Sequence, residues 1–178
     1  MQREKQEGRP AENPELIGAG SEEILLLTGS NLGDRGANLN AAIAGLEAEG
    51  VKVLRQSSIH ITAPWGKTDQ PDFFNQALVC QTEFGPEELL KIIHKTEQAQ
   101  GRLRLEKWGA RTLDIDILLF GSRIINLPHL IVPHPFLPDR EFALAPAAEI
   151  AGNMLHPLIR KTVTVMLNEL SSGRKQEV

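Results

Sequence analysis

Apolar and polar positions along this chain fall into runs with two different periods. Ile24 to Thr28 is a short unbroken apolar run that ends in Gly29-Ser30-Asn31-Leu32-Gly33-Asp34, the pattern of a buried strand entering a turn. From Asn38 to Glu49, the residues Leu39, Ala42, Ile43 and Leu46 recur at spacings of three and four, which predicts an amphipathic helix ending near Gly50. Val51 to Thr62 holds alternating stretches, Val51 and Val53 and then Ile59 and Ile61, and predicts a strand. Pro64, Gly66 and Pro71 make the next segment irregular.

Asn75 to Phe84 predicts another strand, and Gly85-Pro86-Glu87-Glu88 opens a helix. Proline suits a first helical turn because its missing N–H would have no partner there, and acids suit the positive end of the helix. Leu89, Ile92 and Ile93 form its apolar face, and Gly101 stops it. Leu113 to Phe120 reads as a strand, Gly121-Ser122 as a turn, and Ile124-Ile125 as a short strand. Glu141 to Glu149 and Leu158 to Leu170 predict two further helices.

The order β-α-β, β-α-β with helices after it fits a split βαβ plan, a mixed or antiparallel sheet with helices on one face. A parallel doubly wound sheet is the alternative. The strands near residues 51 and 75 are joined by a loop alone, which favours antiparallel pairing. Residues 1–22 are rich in Gly, Pro, Glu and Gln without period and are expected to be a mobile extension. Residues 23–171 then form a single domain and 172–178 a flexible tail.

At 178 residues the chain can bury a core without staples. Its single cysteine, Cys80, lies in the apolar run Ala77-Leu78-Val79-Cys80 and reads as a buried inert thiol in a reducing compartment. Residues 1–23 lack the apolar core of a signal peptide, and no stretch reaches the length needed to span a bilayer. A soluble, cytoplasmic protein with no membrane partner is expected. A formal charge of −4 argues against a general nucleic-acid binder, which must neutralise many phosphates. The basic residues are local instead: Arg102, Arg104, Lys107 and Arg111 face only Glu106 in their segment. That cluster suits a small ligand with several negative charges.

The same segment runs into Leu113-Asp114-Ile115-Asp116-Ile117. Side chains alternate along a strand, so Asp114 and Asp116 share one face and Leu113, Ile115 and Ile117 the other. Two adjacent carboxylates want a cation between them, and oxygen-only ligation suits Mg²⁺, which is usually held by one or two carboxylates plus substrate phosphates. The arginines can grip phosphate oxygens in a bidentate way. The other reading is a set of salt bridges from Asp114 and Asp116 to Arg102, Arg104 or Arg111 at a solvated sheet edge.

Phe73, Trp65 and Trp108 sit in polar, irregular stretches, where a planar heterocyclic ligand would explain them as well as core packing does. His134 is held between Pro133 and Pro135, which could aim its ring at a phosphate. Gly66-Lys67-Thr68 is not a phosphate-binding loop, because Ile61 stands where its first glycine should be. The histidines show no paired metal spacing.

Taken together, Gly29 to Arg35, Asp69 to Asn75, Gly101 to Arg104, Trp108 to Ile117 and Val132 to Pro135 resemble the motifs of the 6-hydroxymethyl-7,8-dihydropterin pyrophosphokinase family of the folate pathway. The resemblance runs from about Ile24 to Leu170. It implies an α+β, ferredoxin-like αβα sandwich with a mostly antiparallel sheet, and transfer of pyrophosphate from ATP to the pterin hydroxymethyl group. It implies two Mg²⁺ ions on Asp114 and Asp116, with Arg102 and Arg111 as catalytic arginines. By the same resemblance ATP meets His94, Glu97, Arg104, Trp108, Ile117, His134 and Arg140. The pterin would lie between Phe73 and Phe142, its edge read by Asn75 and the backbone of Thr62, Ala63, Pro64 and Trp65. A monomer is expected, with ATP and the pterin as partners.

Two other classes fit less well. An RNA-binding module on this fold needs exposed aromatic and basic residues on the central strands, which here read Leu-Leu-Leu and Ile-Leu-Leu-Phe. A metal-dependent nuclease would need more carboxylates and a broad basic groove.

Overall fold

The computed structural model describes residues 22–64, 69–101 and 111–174. The expected extension, apart from Glu22, and the positions Trp65, Arg102, Arg104 and Trp108 lie outside them. The first half follows the order β1 (Ile24–Ser30), α1 (Arg35–Ala48), β2 (Lys52–Gln56), β3 (His60–Thr62), β4 (Phe73–Gln81), α2 (Pro86–Ala99) and β5 (Asp114–Phe120). The strands form one sheet in the order β2-β4-β1-β5, with β3 also paired to β4. Every pairing in it is antiparallel.

β1 is buried along its whole length because helices cover both faces of the sheet. Ile24, Leu26, Leu78, Cys80, Ile115 and Ile117 pack with Leu39, Leu46, Leu89 and Ile93 of α1 and α2. On the opposite face Leu25, Leu27, Ala77, Val79 and Leu119 pack with Leu144, Ala147, Val163 and Met166. The latter come from α3 (Glu141–Ala151) and α4 (Val163–Arg174). Helices therefore cover both faces, not the one read from element order alone. The result is an α+β sandwich of the ferredoxin-like kind, as the resemblance implies.

Several boundaries differ from expectation for local reasons. α1 begins three residues before Asn38, because the Asp34 side chain accepts the Ala37 N–H at 3.0 Å and caps the helix. The strand expected over Val51 to Thr62 breaks at Ser57, whose Oγ accepts the Ala77 N–H at 2.9 Å in place of a ladder carbonyl. Beyond β5, the expected Ile124-Ile125 strand is one arm of a hairpin, β6 (Ile125–Leu127) with β7 (Leu130–Val132). The helix expected from Leu158 starts only at Val163. Before it stands a second small hairpin, β8 (Leu155–His156) with β9 (Lys161–Thr162), and Arg160 at φ 56° is incompatible with a helix there. Among the described residues, no helix is long and apolar enough to cross a membrane.

Candidate active site

Strand register assembles the site. Gly29 of β1 stands opposite Asn75 of β4 on one side and Asp114 of β5 on the other, and His60 of β3 extends the row beyond Asn75. In the neighbouring rows Thr62 faces Phe73, and Ala77, Leu27 and Asp116 lie in line. Directly opposed residues share a face, so all of these point toward α3. As the alternation in the sequence predicts, Ile115 and Ile117 point the other way into the core under α1 and α2.

Gly29 keeps this floor open. A Cβ there would come 3.2 Å from Asn75 Oδ1 and 3.9 Å from Phe73 Cδ1. The resulting cavity of about 290 Å³ is lined on one side by Thr62, Ala63, Pro64, Phe73, Asn75 and Phe142. Its other side is formed by Arg111, Asp114, Asp116, His134 and Arg140. One end is thus a slot with two aromatic rings and an amide, and the other is ionic. Asn75 is buried and donates from Nδ2 to Thr62 Oγ1 at 2.8 Å, which fixes the amide over the slot.

At the ionic end Arg111 forms an ion pair with Asp114, and Arg140 Nη1 lies 3.8 Å from Asp116 Oδ2. Burial pushes the Asp116 carboxyl up to about 7, with the Asp114 charge adding and Arg140 and Arg111 opposing. Its side chain keeps 35 % exposure because it faces the cavity, where protein atoms surround it in place of bulk water. The site is therefore short of positive charge at this carboxylate. His134 is pushed the opposite way, down to about 4, by burial and then by Arg140, so its ring is neutral at pH 7. Its Nδ1 accepts the Phe136 N–H at 3.2 Å, which places the ring proton on Nε2. That Nε2–H and Arg140 Nη1, 3.4 Å away, are two donors side by side that call for an anionic acceptor.

The expected residues do not all converge. His94 and Glu97 belong to α2 and Ile117 packs in the core beneath it, outside this cavity and across β5 from the carboxylates. Glu97 is buried, and its Oε1 accepts the Ile115 N–H at 2.9 Å. Conversely, Leu27, Gly29 and Gln70 line the cavity without having been singled out as site residues. Their sequence signal was weak, since a glycine after an apolar run reads as a turn.

Comparison with known proteins decides the family. Residues 25–152 match the family model described as 7,8-dihydro-6-hydroxymethylpterin-pyrophosphokinase (HPPK). The chain belongs to the HPPK family. It is 46% identical over 123 residues to the 2-amino-4-hydroxy-6-hydroxymethyldihydropteridine pyrophosphokinase of Bacillus subtilis, covering 68% of this chain and 74% of that protein. The Aquifex aeolicus protein of the same name is 41% identical over 138 residues, 78% of this chain and 86% of the relative. Among solved structures, wild-type Plasmodium falciparum HPPK-DHPS with pterin and p-hydroxybenzoate superposes with a TM-score of 0.69 at 16% identity, over 88% of this chain. This chain spans 44% of that longer protein, and the likeness at such identity speaks for the shared fold. Membership in the HPPK family makes the chain a pyrophosphokinase.

Proposed function

We propose that the chain transfers the β,γ-pyrophosphoryl group of ATP to the hydroxymethyl oxygen of 6-hydroxymethyl-7,8-dihydropterin, a step of tetrahydrofolate synthesis. The hydroxyl oxygen bonds to the β-phosphorus, the bond from that phosphorus to the α-phosphate oxygen breaks, and AMP, the pterin diphosphate and the hydroxyl proton leave. One observation carries this reading: a single cavity joins a slot holding Phe73, Phe142 and Asn75 to a cluster of two carboxylates and two arginines. A flat polar ring and a polyphosphate are what those two ends accept.

The carboxylates suit Mg²⁺. Among the described residues no group of three or more His, Cys, Asp or Glu forms a complete protein cage. Asp114 and Asp116 supply hard oxygen donors on one face, and the raised Asp116 carboxyl marks a place where added positive charge is favourable. That is the donor set of an ion sharing its shell with water and phosphate. Bound there, two Mg²⁺ ions would neutralise phosphate charge and help align the triphosphate with the hydroxyl.

The chain's own residues account for positioning. Phe73 and Phe142 hold the ring, and Asn75 with the backbone of Thr62 to Pro64 reads its polar edge, a role that resemblance extends to Trp65; this stabilises the complex only if each buried donor and acceptor is paired. Arg111, Arg140 and His134 Nε2–H donate to phosphate oxygens, where fixed donors in a dry site act on charge developing during transfer. Arg102, Arg104 and Trp108 are assigned to the nucleotide and its closure by resemblance, as are His94, Glu97 and Ile117 beyond β5. Arg111→Ala is expected to lower turnover roughly 100-fold with a small change in the KM for ATP. An unchanged turnover number would remove Arg111 from the reaction.

The mass of the pterin product tests the reaction itself. Incubation with ATP and Mg²⁺ should add two phosphates to the pterin. Addition of one phosphate would make the chain an ordinary kinase.

A further inference from the structure

Asn31 follows β1 and is 1 % exposed, yet among the described residues it is not part of the cavity lining. Its hydrogen bonds run to two separate segments. Toward the ionic end, its N–H donates to the Arg111 carbonyl at 3.1 Å, and its Oδ1 accepts the Arg111 N–H at 2.7 Å. Toward the slot, its Nδ2 donates to Gln70 Oε1 at 3.2 Å and to the Pro71 carbonyl at 3.3 Å. Gln70 and Arg111 both line the cavity, and Arg111 is the residue paired with Asp114. One buried amide therefore ties the loop leading to Phe73 to the backbone of the arginine at the carboxylates.

We propose that Asn31 is a positioning residue that couples the ring slot to the triphosphate end, so that filling one end orders the other. The inference rests on the substrate reading given above. The side chain suits the task because an amide offers an acceptor and two donors in one plane. Alanine removes every side-chain bond of both links and keeps only the backbone N–H to the Arg111 carbonyl, whereas aspartate keeps the acceptor for Arg111 N–H and loses the donors for Gln70 and Pro71. Buried hydrogen bonds of this kind hold loops in one arrangement because leaving their partners unsatisfied is costly. A purely structural role would lower stability and leave communication between the two ends intact.

The test is a coupling measurement on the full chain. The affinity for 6-hydroxymethyl-7,8-dihydropterin is measured with and without Mg²⁺ and α,β-methylene-ATP, which lacks the bond that breaks. The wild-type protein should bind the pterin roughly tenfold more tightly when the nucleotide analogue is present, within the usual range of coupling between sites. In Asn31→Ala and Asn31→Asp that ratio should fall to within about twofold of one, while each ligand's affinity alone changes less. Turnover should fall roughly tenfold or more, with the KM for ATP little changed. A wild-type ratio retained in a folded variant overturns the coupling role and leaves the site reading standing. A wild-type protein that binds neither ligand overturns the site reading itself.

Amide exchange in the wild-type protein covers the case of variants that fail to fold. The Arg111 N–H should be protected, and its protection should rise when the pterin alone is added. Exchange at the rate of an unstructured peptide in both states would overturn the proposal.

Discussion

Carboxylates on the two sides of β5 meet opposite fates. Under α2, Glu97 is 2 % exposed and accepts the Ile115 N–H, in a face otherwise filled by Ile115, Ile117, Leu89 and Ile93. Toward α3, Asp116 lies beside Asp114, and burial and that neighbour raise its carboxyl to about 7. One face spends its polar group on holding a strand edge. The other keeps like charges together beside an open cavity, an arrangement that disfavours the empty state and favours binding of a cation. Adjacent carboxylates gathered beside the cavity distinguish that side of the sheet from the apolar side, although the Glu97 charge across β5 also adds to the rise at Asp116.

The largest expected effect breaks the chemical face alone. Asp114→Ala or Asp116→Ala should lower Mg²⁺-dependent AMP formation by roughly 1,000-fold or more while the circular dichroism stays that of the wild type. Near-normal activity in either variant would remove the metal assignment. Leu78→Ala on the opposite face should do the reverse. It should cost about 2–5 kcal/mol of stability in denaturant unfolding, with the turnover number of the folded fraction preserved. If Leu78→Ala cut turnover as deeply as the aspartate changes, the two faces would not be separable.

Gly29→Ala is a finer probe, because the added methyl enters between Asn75 and the ring slot. The KM for the pterin should rise roughly fivefold, a modest change expected for a tight contact in a pocket, and the KM for ATP should stay within about twofold. Equal effects on both substrates would mean that the slot and the ionic end are one undivided space.

The smallest effect concerns pH. The Asp116 carboxyl is raised from 3.8 to about 7, so the folded protein holds a proton that the unfolded chain has released in this window. That contribution to stability is complete below pH 3.8 and is lost as pH rises through about 7. Asp116→Asn stays neutral throughout. Without metal or ATP, its melting temperature should match the wild type only below pH 3.8 and exceed it by a margin that grows from pH 5 to pH 8. His134, pushed down to about 4, acts with the opposite sign: its contribution is present above 6.5 and lost as pH falls through about 4. It is shared by both proteins and drops out of the difference. A higher wild-type melting temperature at pH 8 would contradict the assigned direction for Asp116.

What could be read from sequence divides along similar lines. The Asp114-Ile115-Asp116-Ile117 alternation sorts itself by strand period, and α2 carries its own start and stop in Pro86 and Gly101. These features are local. The role of Gly29 is not, because it depends on β1 lying between Asn75 and Asp114. Asn31 is hidden for the same reason, since its partners stand about 40 and 80 positions away in sequence. The turn at Arg160 escaped because Leu158 to Leu170 keeps a helix-like pattern through a residue with positive φ. The family motifs located the slot and the carboxylates. The placement of Glu97 and Ile117 across β5 required the sheet.

The most direct measurement is the nucleotide product. Purified protein is incubated with ATP, Mg²⁺ and 6-hydroxymethyl-7,8-dihydropterin, with pterin-free and EDTA controls, and the nucleotides are separated by chromatography. The account predicts AMP that requires both the pterin and the metal. ADP as the product, or AMP formed equally without pterin, would contradict pyrophosphoryl transfer at this site.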